Sequence, residues 1–196
     1  FLFFITISAF GRAQKIVYSQ PDRNENRQTN FEIIGQYADK YLIFKSLKGN
    51  HYISVYNTNM ELVTNETLKF MPERVIDASF VAYPDFSYLF YQYYQKGIVY
   101  SMAVKISADG KALTQPIELD TTATGNNNAA KVYQVLASEN KEKLMVLKIN
   151  SRNEQRLIFK TKLFDKELTL KHTSTNIGLE MTDRYDFLTD FSLDND

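Results

Sequence analysis

The sequence predicts an all-β chain built from repeating four-stranded units. Three observations carry that expectation: an aromatic content of the strand-forming kind, a strand–turn–strand pattern that recurs, and turn signals at regular intervals. The chain has 196 residues, enough for one domain of ordinary size. It holds 14 Phe and 13 Tyr but no Trp. Phe and Tyr fit pleated, half-buried surfaces, so the composition leans towards sheet. Hydrophobic residues make up 44% and charged residues 23%, near globular averages, so a buried core is expected and disorder is not. Gly and Pro number 7 and 4, so turns must also draw on Asn, Asp, Ser and Lys.

The repeat organises the strands. Its first copy runs through 41–47, a turn at Lys48-Gly49-Asn50, and 51–56. The second runs through 88–94, a turn at Gln95-Lys96-Gly97, and 98–106. The third runs through 144–149, a turn at 150–153, and 156–164. A second turn closes each copy, at Asn57-Thr58-Asn59, Ala108-Asp109-Gly110 and Asp165-Lys166. Leu62, Leu113 and Leu168 then open a more polar strand. Asp-Gly between apolar runs is a strong hairpin signal, because both residues tolerate positive φ. Met102 to Ile106 and Leu113 to Leu119 are therefore expected to pair across Asp109-Gly110. A further apolar stretch precedes each copy, at 31–34, 78–82 and 131–136, giving about four strands per unit. Copies start 47 and 56 residues apart, and the extra length falls in the polar insert 121–130.

Four-strand units at this spacing are the pattern of propeller blades, in which adjacent sheets bury each other's faces. On this pattern, and on an N-terminal apolar segment ending in Ala13-Gln14, the chain resembles exported β-propeller-like (WD40-like) repeat proteins of the Bacteroidota type. The resemblance covers about Phe31 to Asp196, and no Trp-Asp dipeptide is present. It implies an incomplete β-propeller: three four-stranded antiparallel blades and, in 184–196, the start of a fourth. The competing fold is a closed barrel of eight to ten strands such as a lipocalin-like meander, which twelve short strands fit less well.

Residues 1–10 form an apolar run too short for the ~20 residues of a membrane span. Gly11 and Ala13 have the small-x-small spacing of a signal-peptidase site. The expected organisation is a signal peptide over 1–13, short of its own start, a polar segment over 14–30, and a partial propeller over 31–196. A buried N-terminal strand or helix is the alternative for the first segment. The chain is thus expected to be exported, to the periplasm, cell surface or outside, and not to span a membrane once processed.

Charge and chemistry narrow the function by exclusion. Lys plus Arg and Asp plus Glu are 23 each, without the basic excess of a nucleic-acid binder. There is no cysteine, which removes disulfides, thiolate zinc sites and a thiol nucleophile. No Gly-x-Ser-x-Gly, His-Glu-x-x-His, Walker or dinucleotide pattern occurs. His51 and His172 stand among polar residues and read as surface side chains. Asp194, Asn195 and Asp196 supply too few oxygens for calcium. Asn65-Glu66-Thr67 matches a glycosylation sequon and Asp120-Thr121-Thr122 a short O-glycosylation pattern. Tyr91, Tyr93, Tyr94 and Tyr100 could face a glycan or peptide, but neighbours on a strand point to opposite faces, which favours packing between sheets. No catalytic, cofactor or metal residue is assigned. The expected function is a non-catalytic binding or scaffold module for an unidentified protein, peptide or glycan. The alternative is the accessory propeller of a larger secreted hydrolase, peptidase-like, whose catalytic part would show a Gly-x-Ser-x-Gly motif downstream.

Overall fold

The structure is a computed structural model that describes residues 16–20, 29–125, 130–153, 156–180 and 190–196. The described residues contain twelve strands and no helix. The first sheet holds β1 (Asn30–Tyr37), β2 (Lys40–Leu47), β3 (Asn50–Asn57) and β4 (Leu62–Thr67). The second holds β5 (Asp77–Ala82), β6 (Phe86–Gln95), β7 (Ile98–Ser107) and β8 (Ile117–Ala123). The third holds β9 (Tyr133–Ala137), β10 (Lys143–Asn153), β11 (Arg156–Asp165) and β12 (Leu170–Glu180). Each sheet is an antiparallel meander with its strands side by side in chain order. The three units match the sequence repeat. The apolar segment at 1–10 and the cleavage site lie outside the described residues, as do 184–189.

Local chemistry sets the turns. Lys48-Gly49 and Lys96-Gly97 join the central strands of the first two sheets, and all four residues have positive φ. That is the two-residue hairpin geometry whose twist matches the flanking strands. The turns that follow repeat another device. The side-chain oxygens of Asn57, Ser107 and Asp165 accept backbone N–H groups two and four residues ahead. Met60, Gly110 and Leu168 close these turns at φ 58°, 79° and 62°. Leu168 therefore belongs to the turn rather than opening the last strand, which begins at Leu170.

The Asp109-Gly110 hairpin forms, but its second strand starts late. Ala103 pairs with Ile117 and Ser101 with Asp120, while nearer the turn there is an isolated bridge between Ile106 and Ala112. Pro116 has no N–H to offer the ladder, and the Lys105 N–H takes the Thr114 hydroxyl instead at 3.1 Å. Residues 113–116 thus lie outside β8.

The sheets stack face to face in chain order. Alternation along β6 divides its side chains. Leu89, Tyr91 and Tyr93 pack with Leu42, Phe44, Ile53 and Val55 of the first sheet. Tyr88, Phe90 and Tyr94 pack with Tyr133, Leu144, Val146 and Phe164 of the third. The second sheet is covered on both faces, which accounts for its near-continuous apolar strands. Beyond the third sheet Phe191 meets Phe159 edge-on at 5.8 Å, and Leu193 bridges Ser138 in parallel.

Candidate functional site

A concavity of about 590 Å³ opens where the first strands of the first two sheets come together. β1 contributes Phe31 and Glu32, β2 contributes Phe44, and β3 contributes His51. The segment into β5 adds Arg74 and Asp77. Glu32 stands in an otherwise apolar stretch, so the stacking of the sheets half-buries it. Burial, and then the nearby Asp77 carboxylate, push the Glu32 carboxyl above its ordinary range, while a hydrogen bond from the Phe80 backbone N–H pulls it down. Asp77 is held by Lys131 at 2.9 Å and by the Gln92 amide nitrogen at 3.4 Å. Phe31 is 70% exposed at the rim. The groove thus offers two carboxyl groups of different character beside aromatic surface, a combination suited to a ligand with both hydroxyl or amide groups and an apolar face.

The sequence candidates fall differently. His51 is not a surface residue: it is 4% exposed, its ring stacked with that of Phe44 at 6.0 Å. Its Nε2 lies 3.0 Å from the Pro72 carbonyl, and its buried Nδ1 has no hydrogen-bond partner among the described residues. Polar neighbours in sequence concealed this, because strand alternation turns His51 inward while they face out. His172 is exposed on β12, in a different sheet, so the two histidines do not converge. Asn65 Oδ1 accepts from the Ser54 hydroxyl at 2.9 Å. Asp120 is ion-paired with Lys162 at 2.7 Å, Thr121 is exposed, and the Thr122 and Tyr133 hydroxyls are hydrogen-bonded. Asn195 Oδ1 accepts the Asn140 N–H at 3.0 Å. Among the described residues no group of His, Asp or Glu is arranged to hold a metal.

Three of the four tyrosines share a face after all. Tyr91 and Tyr93 are two residues apart, and Tyr100 lies opposite Tyr93 across β6 and β7. The Tyr93 and Tyr100 rings stack at 4.9 Å and 9°. Tyr94 faces the other way, its hydroxyl donating to the Gly125 carbonyl at 3.0 Å. Burial, and then Tyr93, push the Tyr91 hydroxyl up to about 12. Because the rings cover one another, they fill the space between sheets more than they present a free surface. Glu32 and Asp77, in contrast, were missed. The available signal was a lone glutamate within Phe31-Glu32-Ile33-Ile34, a carboxylate that the strand must either expose or satisfy.

No protein-family model matches the chain, and no curated protein matches it. Among solved structures it is similar to an α-L-arabinofuranosidase from Podospora anserina in complex with cellotriose, at 14% identity and a TM-score of 0.36. The match covers 66% of this chain and 44% of that one. The expectation of a non-enzyme is withdrawn: nothing among the described residues marks this chain as lacking activity. No described helix is long and apolar enough to cross a membrane.

Proposed function

We propose that this chain is part of an exported β-propeller of the bacterial repeat type and serves as a binding or scaffold module. Residues 1–13 would act as the export signal, and the three sheets as consecutive blades. The ligand, a glycan or an extended peptide, would seat in the groove between the first strands of the first two sheets. The observation that carries this reading is the juxtaposition of Glu32 and Asp77 beside the Phe31 and Phe44 rings. Carboxyl groups pair with hydroxyl and amide groups, and aromatic surface packs the apolar face of a sugar ring or side chain.

The full-length protein, recovered from a Gram-negative host and sequenced at its mature N-terminus, should begin at Gln14. The same material should bind members of a glycan or peptide array. Glu32→Gln should weaken that binding about tenfold while the far-ultraviolet circular dichroism stays the same. A chain retaining residues 1–10 would contradict the export signal. Binding unchanged in Glu32→Gln would contradict the groove. Hydrolysis of an array member would move the assignment to a propeller that belongs to a hydrolase.

A further inference from the structure

Three lysines stand together on one face of the third sheet. Lys148 of β10 lies directly opposite Lys160 of β11, and Lys162 follows two residues on. Strand alternation therefore projects all three to the same side. That side faces β8: Val146 and Phe164, in phase with the lysines, are buried in the core shared with the second sheet. Lys162 reaches across to the Leu119 carbonyl at 2.9 Å and to Asp120 at 2.7 Å.

The charges are not balanced. Like charges directly opposite each other on antiparallel strands repel. Asp120, the carboxylate at this face, is already engaged by Lys162. Lys148 lies over the Tyr133 ring at 5.9 Å, and neither it nor Lys160 forms an ion pair with a described residue. Burial pulls the Lys148 ammonium below its ordinary range; Asp120 opposes that, and Lys160 and Lys162 add to it. The three lysines, Asp120 and Thr173 line a concavity of about 260 Å³. It is small, concave, hydroxyl-bearing and in net excess of positive charge, and both of its walls lie within the described sheets.

We infer that this concavity binds a tetrahedral oxyanion, phosphate or sulfate, either free or as the terminal ester of a larger ligand. A doubly charged oxyanion would sit between Lys148 and Lys160, replace their repulsion with two charge-assisted hydrogen bonds, and leave the Lys162–Asp120 pair in place. The site is separate from the groove at Glu32, so it does not depend on the function proposed for that groove.

The test uses the full-length protein and inorganic phosphate or sulfate, with chloride at matched ionic strength as reference. Phosphate or sulfate should raise the melting temperature above the chloride value, and calorimetric titration should give saturable binding. Lys160→Gln should weaken that binding about tenfold. In chloride alone, Lys160→Gln should melt no lower than the parent protein, because it removes a repulsion. A phosphorylated or sulfated monosaccharide that binds more tightly than the inorganic anion would identify an ester as the ligand, and equal binding would identify the free anion. Identical melting in phosphate, sulfate and chloride would overturn the inference. So would a Lys160→Gln variant that melts lower in chloride and keeps its anion affinity, since that lysine would then be a packing residue.

Discussion

Between the first and second sheets, Leu42, Phe44, Ile53 and Val55 meet Leu89, Tyr91, Val104 and Ile106 in apolar contact. The polar links there include the rim pair Lys40–Asp109, at 2.6 Å, and the Tyr37 hydroxyl, which donates to the Phe86 carbonyl at 3.1 Å. Between the second and third sheets a buried amide is set into the core. Gln92, 4% exposed, accepts the N–H groups of Val132 and Tyr133 at 3.1 and 2.8 Å through Oε1. Through Nε2 it donates to the Tyr133 carbonyl at 2.7 Å. The side chain does for the start of β9 what a neighbouring strand would do. The comparison teaches that one stacking geometry can be held in two ways: by surface fit, which tolerates sliding, or by hydrogen bonds of fixed register, which do not.

The largest expected effect breaks the second interface. Gln92→Leu keeps the volume but leaves the buried Tyr133 N–H and carbonyl and the part-buried Val132 N–H without partners, and each such group costs on the order of 1 kcal/mol or more. Denaturant titration should show a loss of about 3 kcal/mol. A loss within experimental error would mean that the amide is replaceable by apolar contact and that the two interfaces do not differ.

The next effect sharpens the first interface by using two turns as each other's control. Gly110 and Gly97 have nearly the same φ, 79° and 83°. A Cβ on Gly97 would meet nothing within 4 Å, whereas one on Gly110 would lie 2.9 Å from Ile53 Cγ2 and 3.2 Å from Val55 Cγ2. Gly97→Ala should cost only the positive-φ strain, about 1 kcal/mol. Gly110→Ala should cost about 2 kcal/mol, because it also pushes against the apolar core. Equal costs would mean that the first interface yields to a methyl group and is not closely fitted at that turn.

Much of this architecture is legible in the sequence because it is local. The Lys-Gly turns, the Asp-Gly turn and the three strand–turn–strand copies each follow from residues that are neighbours in the chain. What was not legible depends on which strands face each other. Tyr91, Tyr93 and Tyr100 share a face only because Tyr93 falls opposite Tyr100. His51 is buried because Phe44 and Pro72 close over it. Glu32 and Asp77 are 45 residues apart in the numbering and meet only where two sheets stack. The late start of β8 reflects Pro116, whose missing N–H outweighed the apolar pattern from Leu113 onward.

The smallest effect concerns Glu32, at the open end of the first interface. Its carboxyl is held above the ordinary 4.5 in the folded chain, mainly by burial. The folded state therefore keeps a proton at pH values where the unfolded chain has lost it. Its contribution to stability is fully present below pH 4.5 and is lost as pH rises through the folded value. Glu32→Gln should accordingly match the parent in melting temperature at pH 4 and exceed it by about 1 °C at pH 7, a modest gain because the group is partly exposed. A gain that is largest at low pH would reverse the sign and show that the charged carboxylate is the favoured form.

The most direct test of the contrast between the two interfaces is amide hydrogen exchange at Val132 and Tyr133, followed residue by residue in the parent protein and in Gln92→Leu. Both amides should be protected in the parent protein and should exchange at least about tenfold faster in the variant, while the amides of β2 and β3 keep their protection. Fast exchange at Val132 and Tyr133 in the parent protein, or equal protection in both proteins, would contradict the assignment of Gln92 as the residue that fixes the third sheet to the second.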